Sequence, residues 1–288
     1  MSPDQSSKYF LQSLAKGLRV LQIIAQSPGS IGISEIARRL GTNNATITRC
    51  CHTLAYLGYV TKDSRKRWHL TPKVLSLGYA TVSSLGWRQT ARHYLEELSE
   101  RSGETTNLSV LEEGEIIYIC RVNTSRILPY DIRLGTTLPV HCTSMGKALL
   151  AFRSREKIES VMDALDFVAL THNTITSRKR LLEDLETVRH KGYAVNDEEL
   201  SVGLRSVAAP VLDAQGWSMA ALNIAVSTTR MSREELESRL APMVMSTARD
   251  IEAAMSFLDE DGLQELGREG KGSGSLDRDS VQRPVAMK

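Results

Sequence analysis

Residues 33–60 read ISEIARRLGTNNATITRCCHTLAYLGYV, and this stretch decides the fold of the N-terminal part of the chain. Ile33, Ile36, Ala37 and Leu40 recur at helical spacing, and Gly41 ends that helix as the residue that enters the left-handed region most cheaply. The turn is Gly41-Thr42-Asn43. In the next segment Ile47, Cys51, Leu54 and Gly58 fall on one stripe and Ala45, Arg49, His52 and Tyr56 on the opposite one, with Thr46 and Thr48 on the flanks. One stripe suits a core; the other is rich in hydrogen-bonding groups. Two helices at a tight turn, the second polar outside, form a helix-turn-helix pattern.

The polar stripe matters because the major groove of DNA admits one α-helix and is read by groups such as an arginine fork on guanine. Arg49 is the leading base-reading candidate, with Asn44, Ala45, Thr46, Thr48 and His52 around it. Downstream, Tyr59–Lys62 and Lys66–Leu70 read as two short strands about Asp63-Ser64-Arg65. Arg65, Lys66 and Arg67 at its tip are placed to reach phosphates or the minor groove, as a wing does. The structural alternative is a helical hairpin with a solvated, charged loop used for protein contacts. Motif and wing in this order favour DNA.

Charge is divided to match. The chain has 36 Lys and Arg against 34 Asp and Glu. Residues 1–73 hold eleven basic side chains against Asp4, Glu35 and Asp63, leaving 25 basic and 31 acidic residues in the remainder. A basic head on an acidic body suits a phosphate-binding module joined to a domain that does not touch nucleic acid. At 288 residues the chain is long enough for two cores. No stretch reads as a signal peptide or membrane span, so a cytoplasmic location is expected. Cys50, Cys51, Cys120 and Cys142 lack CxxC spacing, and the six histidines form no zinc pattern. Neither a disulfide nor a metal nor a cofactor is expected.

Leu11, Leu14, Leu18, Leu21 and Ile24 predict a helix that floors the motif. Thr71-Pro72 starts another, with a cap and a proline in its first turn, running to Gly86 as a connector and dimer contact. An amphipathic helix ending near Ser102-Gly103 follows. Asn107–Glu112 and Glu115–Arg121 then alternate about Glu113-Gly114 as an antiparallel hairpin, as do Leu204–Leu212 and Trp217–Val226 about Asp213–Gly216. Thr143-Ser144 opens a helix at Met145–Phe152. Thr176 caps one that Gly192 ends, and Ser232 with Glu235 opens a last helix to about Leu258. The rest is rich in Gly, Ser and charge. The expected class is α+β: residues 1–71 a winged helix-turn-helix domain, 72–86 a linker helix, 87–258 a sensor domain and 259–288 a disordered tail.

Two stretches of the body are candidates for chemistry. In Gly135–Lys147 a polar loop runs into a helix, whose free N–H groups and dipole suit a carboxylate; an ordinary capped helix is the structural alternative. Gly146-Lys147 hints at a P-loop, but His141 stands where that motif needs glycine. In Gly192–Ser206, Asp197, Glu198 and Glu199 precede Arg205. Without a histidine they make a poor transition-metal set, and an internal ion pair is the simpler reading.

The order LQSLAKGLRVL, helix-turn-helix with LGYV, LTPKVLSLG, LPVHCTSMGKALLA, GYAVNDEELSVGLRSVAAPV and AALNIAV resembles the IclR family of bacterial transcriptional regulators over roughly residues 10–258. Within it, QSLAKGL, LSLGYATVSSL and ERSGETTNLSVL resemble the branch controlling catabolism of aromatic acids such as protocatechuate and 4-hydroxybenzoate. The resemblance implies a homodimer or homotetramer, winged heads on a palindromic operator, and a GAF-like effector-binding domain for a small carboxylic acid. By position the family's pocket falls on Ser144, Met145, Asn196, Leu204, Ser206, Asn223 and Ala225. Asn196 stands where some relatives have an acid. Asn223 and Ala225 replace hydroxyls found in relatives that bind very small acids, and the apolar wall at Ala225 suits a ring.

Two other classes remain to be weighed. One is a hydrolase with Cys142 as nucleophile and His141 or His172 as base, although adjacent His141 and Cys142 point to opposite faces of an extended segment. The other is an adaptor whose basic head binds acidic protein partners.

Overall fold

The computed structural model describes residues 9–77, 87–124 and 132–269, with side chains to Met255. The N-terminal unit comprises α1 (Gln12–Ala25), α2 (Ile33–Arg39), α3 (Asn44–Tyr56) and the antiparallel strands β1 (Val60–Lys62) and β2 (Trp68–Leu70). Its core is Val20, Ile24, Ile31, Ile36, Ile47, Cys51, Leu54, Val60 and Trp68, so the inner stripe of the second helix is as expected. Gly58 is not part of that helix, which ends at Tyr56; it takes φ 82° in the turn to the wing.

The floor differs from expectation. Leu11, just before α1, and Leu14 and Leu18 within it are exposed, whereas Ile24 is buried and Leu21 packs half-buried against the core as expected, joined by Val20. The helix has two apolar faces, and spacing alone does not say which one is covered. Of the expected linker 72–86, residues 74–77 are helical and 78–86 lie outside the described residues. Thr71 does not cap this turn: its hydroxyl donates to Gly58 O at 2.5 Å.

The second unit is built on an antiparallel sheet of β3 (Thr105–Glu112), β4 (Glu115–Val122), β5 (Thr137–Pro139), β6 (Ala194–Asp197), β7 (Leu204–Leu212) and β8 (Ser218–Ser227), in the order β5-β4-β3-β8-β7-β6. Both expected hairpins are present. Glu113 and Gly114 both take positive φ, the geometry of a two-residue turn whose twist matches its strands. Helix α4 (Trp87–Ser102) and the C-terminal helix pack on one face of the sheet through Leu95, Leu98, Leu236, Leu240 and Val244. Helices α5 (Ser144–Ala151), α6 (Arg155–Ala164) and α7 (Arg178–Lys191) cover the other.

Local corrections have simple causes. Ser177, not Thr176, caps α7, accepting from Arg180 N at 3.4 Å, while Gly192 ends it in the left-handed region. Ser232 accepts from Glu235 N and opens α8 (Arg233–Glu235), which passes through a π-turn at Leu236–Leu240 into α9 (Ala241–Glu269). Thus residues 259–269 of the expected tail are helical. Leu263, Gln264, Glu265 and Leu266 are good helix formers that extend a helix already nucleated. Residues 270–288 lie outside the described residues.

The π-turn is tied to the sheet by Glu237, which accepts from Lys191, Tyr193 and Arg233 at 3.1, 2.7 and 2.9 Å. Burial alone raises this carboxyl, but those three donors overcome it and hold the group at about 2. The stabilisation is therefore present above the ordinary value of 4.5 and is lost as pH falls toward 2. Glu237→Gln is expected to cost about 1–3 kcal/mol at pH 7. Chemical denaturation across pH checks this, the deficit shrinking as pH falls below the unfolded value.

Candidate functional site: a DNA-reading helix and a donor-lined cavity

Helix α3 begins at a cap of its own making, with Asn43 Oδ1 accepting from Thr46 N at 2.8 Å. That cap sets which side chains stand at the exposed start. Asn44 reaches back to Ser34 Oγ at 3.4 Å, and the Thr48 hydroxyl donates to Asn44 O at 2.8 Å. Both side chains thus hold the motif together as well as facing out. Ala45 is exposed and Thr46 half-buried. His52 is exposed but leans edge-on against Trp68, ring centroids 5.7 Å apart. Arg49 is exposed and its guanidinium has no partner among the described residues.

The wing is shaped by Asp63. Its carboxylate accepts from Arg65 N and Arg67 N at 2.9 and 2.8 Å and from Ser30 Oγ at 2.6 Å. Lys66 sits at φ 59° on the tip. Arg65 and Lys66 point into solvent, whereas Arg67 Nε and Nη2 donate to Ser30 O at 3.0 and 2.5 Å and anchor the wing to the loop before α2.

In the second unit the loop-to-helix junction is unusually tight. Thr143 Oγ1 accepts from Gly146 N at 3.2 Å, and a Cβ on Gly146 would stand 2.5 Å from Val140 Cα and O; only glycine fits. Every residue of α5 is buried. With Gly146 N taken by the cap, the amides of Ser144 and Met145 are those that no intrahelical carbonyl serves.

That helix start faces a small cavity of about 10 Å³, the room of one water. Its lining includes Ser144, Asn196, Leu204, Ser206, Asn223 and Ala225, six of the seven residues placed there by resemblance. Met145 is not among them; it is buried, and Ser109 Oγ donates to its sulfur at 3.3 Å. Asn107, Tyr118, Ile132, Thr143 and Leu200 complete the lining; Thr143 and Leu200 fall within the two stretches singled out in the sequence but were not named for the pocket, and Asn107, Tyr118 and Ile132 escaped the sequence reading. A signal for one was available: Thr105, Asn107 and Ser109 alternate along β3 with both faces buried, so their polar face meets a polar interior and not solvent.

The cavity is lined by donors. Ser144 Oγ and Ser206 Oγ lie 2.7 Å apart. Asn196 Oδ1 accepts from Glu199 N at 2.9 Å, and Asn223 Oδ1 accepts from Asn107 Nδ2 at 2.8 Å. Each amide's carbonyl is thereby used, and among the described residues neither NH2 has a partner. None of the lining residues is acidic. The acids of the neighbouring loop are engaged elsewhere: Asp197 with Arg205 at 2.6 Å, Glu198 with Gly203 N at 2.6 Å and Glu199 with Lys147 at 2.7 Å. A larger cleft of about 330 Å³ lined by Lys147, Asp184, Asp197, Lys191 and Arg233 has ions of both signs that pair among themselves or with Glu237. Arg180 also lines it and is unpaired among the described residues, but unlike the small cavity this cleft carries three acids, Asp184, Asp197 and Glu199, in its lining.

The family model for the IclR helix-turn-helix domain matches residues 13–64, and that for the bacterial transcriptional regulator IclR C-terminal domain matches residues 79–253. The chain belongs to the IclR family of bacterial transcriptional regulators. It is 38% identical over 243 residues to the Pca regulon regulatory protein of Pseudomonas putida, covering 84% of this chain and 83% of that one. A proposed transcriptional regulator from Rhodococcus sp. RHA1 is 40% identical, with TM-score 0.71 over 86% of this chain and all of its own. The inducer-binding domain of a PobR double mutant from Acinetobacter, solved with 3-hydroxybenzoic acid, is 33% identical with TM-score 0.53, over 57% of this chain and 96% of that domain.

For this IclR regulator the enzyme reading has no geometric support. Cys142 is buried, its thiol pushed up to about 12 by burial, and it donates to Pro139 O at 3.7 Å. His141 Nε2 lies 3.2 Å from Val168 O, and burial lowers its basicity. A thiol at that value holds almost no thiolate at neutral pH. Among the described residues no helix is long and apolar enough to cross a membrane.

Proposed function

We propose that this protein is a cytoplasmic, homodimeric or homotetrameric regulator whose winged heads bind a palindromic operator and whose cavity takes a small aromatic acid, such as 4-hydroxybenzoate or protocatechuate, to control catabolic genes. The observation that carries this reading is the donor-lined, acid-free cavity at the start of α5. The Asn196 NH2, the hydroxyl left over from the Ser144–Ser206 pair and a helix N-terminus favour a carboxylate, the Asn223 NH2 adds a donor for a second group, and Tyr118, Ile132, Leu200, Leu204 and Ala225 supply walls for a ring. The bound relative supports the ligand class. A cavity of about 10 Å³ is too small for a benzoate, so binding requires a wall to move. An acid that prefers the opened form shifts the population toward it.

The exposed stripe of Leu11 at the N-cap and Leu14 and Leu18 on α1 supports assembly through the heads, since such a row of leucines gains most by meeting its own copy. Two heads so joined place their recognition helices on half-sites about one helical turn apart. Arg49 is expected to read a base: Arg49→Ala should cost about 1–3 kcal/mol on the operator and relax specificity at one position. Fluorescence anisotropy on operator and scrambled duplexes at fixed salt tests this. An adaptor that binds acidic proteins would show little change.

A further inference from the structure

Arg121, Asn107 and Asn223 stand directly opposite one another on β4, β3 and β8, in one row across the sheet. An arginine side chain has donors and no acceptor. Arg121 Nη1 donates to Asn107 Oδ1 at 3.1 Å, which uses that amide's carbonyl and turns its NH2 toward β8. The NH2 then donates to Asn223 Oδ1 at 2.8 Å. What remains for the cavity is the Asn223 NH2. The polarity of the whole row is thus set by a cation at its outer end, and Arg121 itself is not part of the cavity lining.

Asn196 is fixed in the same sense by a different donor, the main-chain N–H of Glu199. It pairs across the sheet with Ser206, and Ser206 with Ala225, in the row next but one along the strands from that of Asn223. Two strand spacings of ~4.8 Å and two residue rises of ~3.4 Å put the Asn196 and Asn223 backbones roughly 12 Å apart. With a side chain reaching in from each end, the gap suits one ring bearing an acceptor at either side.

We propose that Arg121, acting through Asn107, is a positioning residue that locks Asn223 as a hydrogen-bond donor and so selects effectors carrying a second acceptor oxygen, a ring hydroxyl, away from the carboxylate. This rests on the reading of the cavity as an aromatic-acid site. A ring amine, chiefly a donor, faces the Asn223 NH2 donor to donor and is rejected. Benzoate lacks the second group and leaves the amide unpaired.

The test titrates full-length protein with 3- and 4-hydroxybenzoate, 4-aminobenzoate and benzoate by calorimetry, for the wild type, Arg121→Met and Arg121→Lys. The wild type is expected to prefer a hydroxybenzoate over aminobenzoate by about tenfold or more. Arg121→Met, which frees both amides to turn over, is expected to bring that ratio to within about threefold while benzoate affinity stays within about twofold. Arg121→Lys keeps a donor and is expected to keep the preference. A ratio unchanged in Arg121→Met, or a parallel loss for all four acids, overturns the relay alone. If wild type binds none of the acids, the relay falls together with the cavity reading.

Discussion

Lys147→Met is expected to destabilise the second unit by about 3–5 kcal/mol, a large part of what holds a domain folded. Lys147 is 1% exposed, and its Nζ pairs with Glu199 Oε1 and Asp184 Oδ2 at 2.7 and 3.0 Å. Methionine fills nearly the same volume and leaves two carboxylates facing each other without a cation. Burial already raises the Glu199 carboxyl, and its Oε2 has no hydrogen-bond partner. In the variant the native state relieves the repulsion by taking up a proton, so its deficit is largest at neutral pH and shrinks as pH falls. Urea unfolding at pH 7 and 5 measures this, with Lys147→Met/Glu199→Gln expected to recover more than half of the loss. A deficit below about 1 kcal/mol at pH 7 would sink the account of this buried pair.

The second large effect is on the ligand. Ser144→Asp puts the protein's own carboxylate at the first turn of α5, a position that an acidic side chain tolerates well because the dipole favours it. Ser206 keeps a partner there. An incoming acid then meets a fixed negative charge where donors stood, and like-charge placement in a desolvated site costs several kcal/mol. Affinity for a hydroxybenzoate is expected to fall by about a hundredfold or more, with operator binding in the absence of acid retained. Calorimetry with a parallel gel shift separates the two; acid binding within threefold of wild type would contradict the placement of the carboxylate.

How far the sequence was legible depends on what kind of signal each residue gave. Ile47, Cys51 and Leu54 were readable because periodicity reports burial directly, and Glu113-Gly114 because a two-residue hairpin turn demands positive φ. The stripe Leu11, Leu14 and Leu18 obeyed the same periodicity and yet is exposed, since spacing reports an apolar face and not whether the rest of the chain covers it. In the site, Ser144, Asn196, Ser206 and Asn223 were placed by resemblance, and the helix start alone was readable from chemistry. The direction of the two asparagine amides was not. It depends on Arg121 and the Glu199 N–H, which reach their partners by cross-strand and loop geometry that no local pattern encodes. The ion pairing of Asp197 with Arg205 was legible because the two are near in sequence; that of Lys147 with Glu199 was not, because fifty residues of chain separate helix from loop.

The most direct test of the central claim is a gel shift at fixed salt on the DNA upstream of the protein's own gene, with and without a panel of aromatic and short-chain acids. A specific shift that a hydroxylated benzoate alters and acetate, pyruvate and glyoxylate leave unchanged is the predicted result. A specific shift that no aromatic acid alters, or one that only the short-chain acids alter, would contradict it.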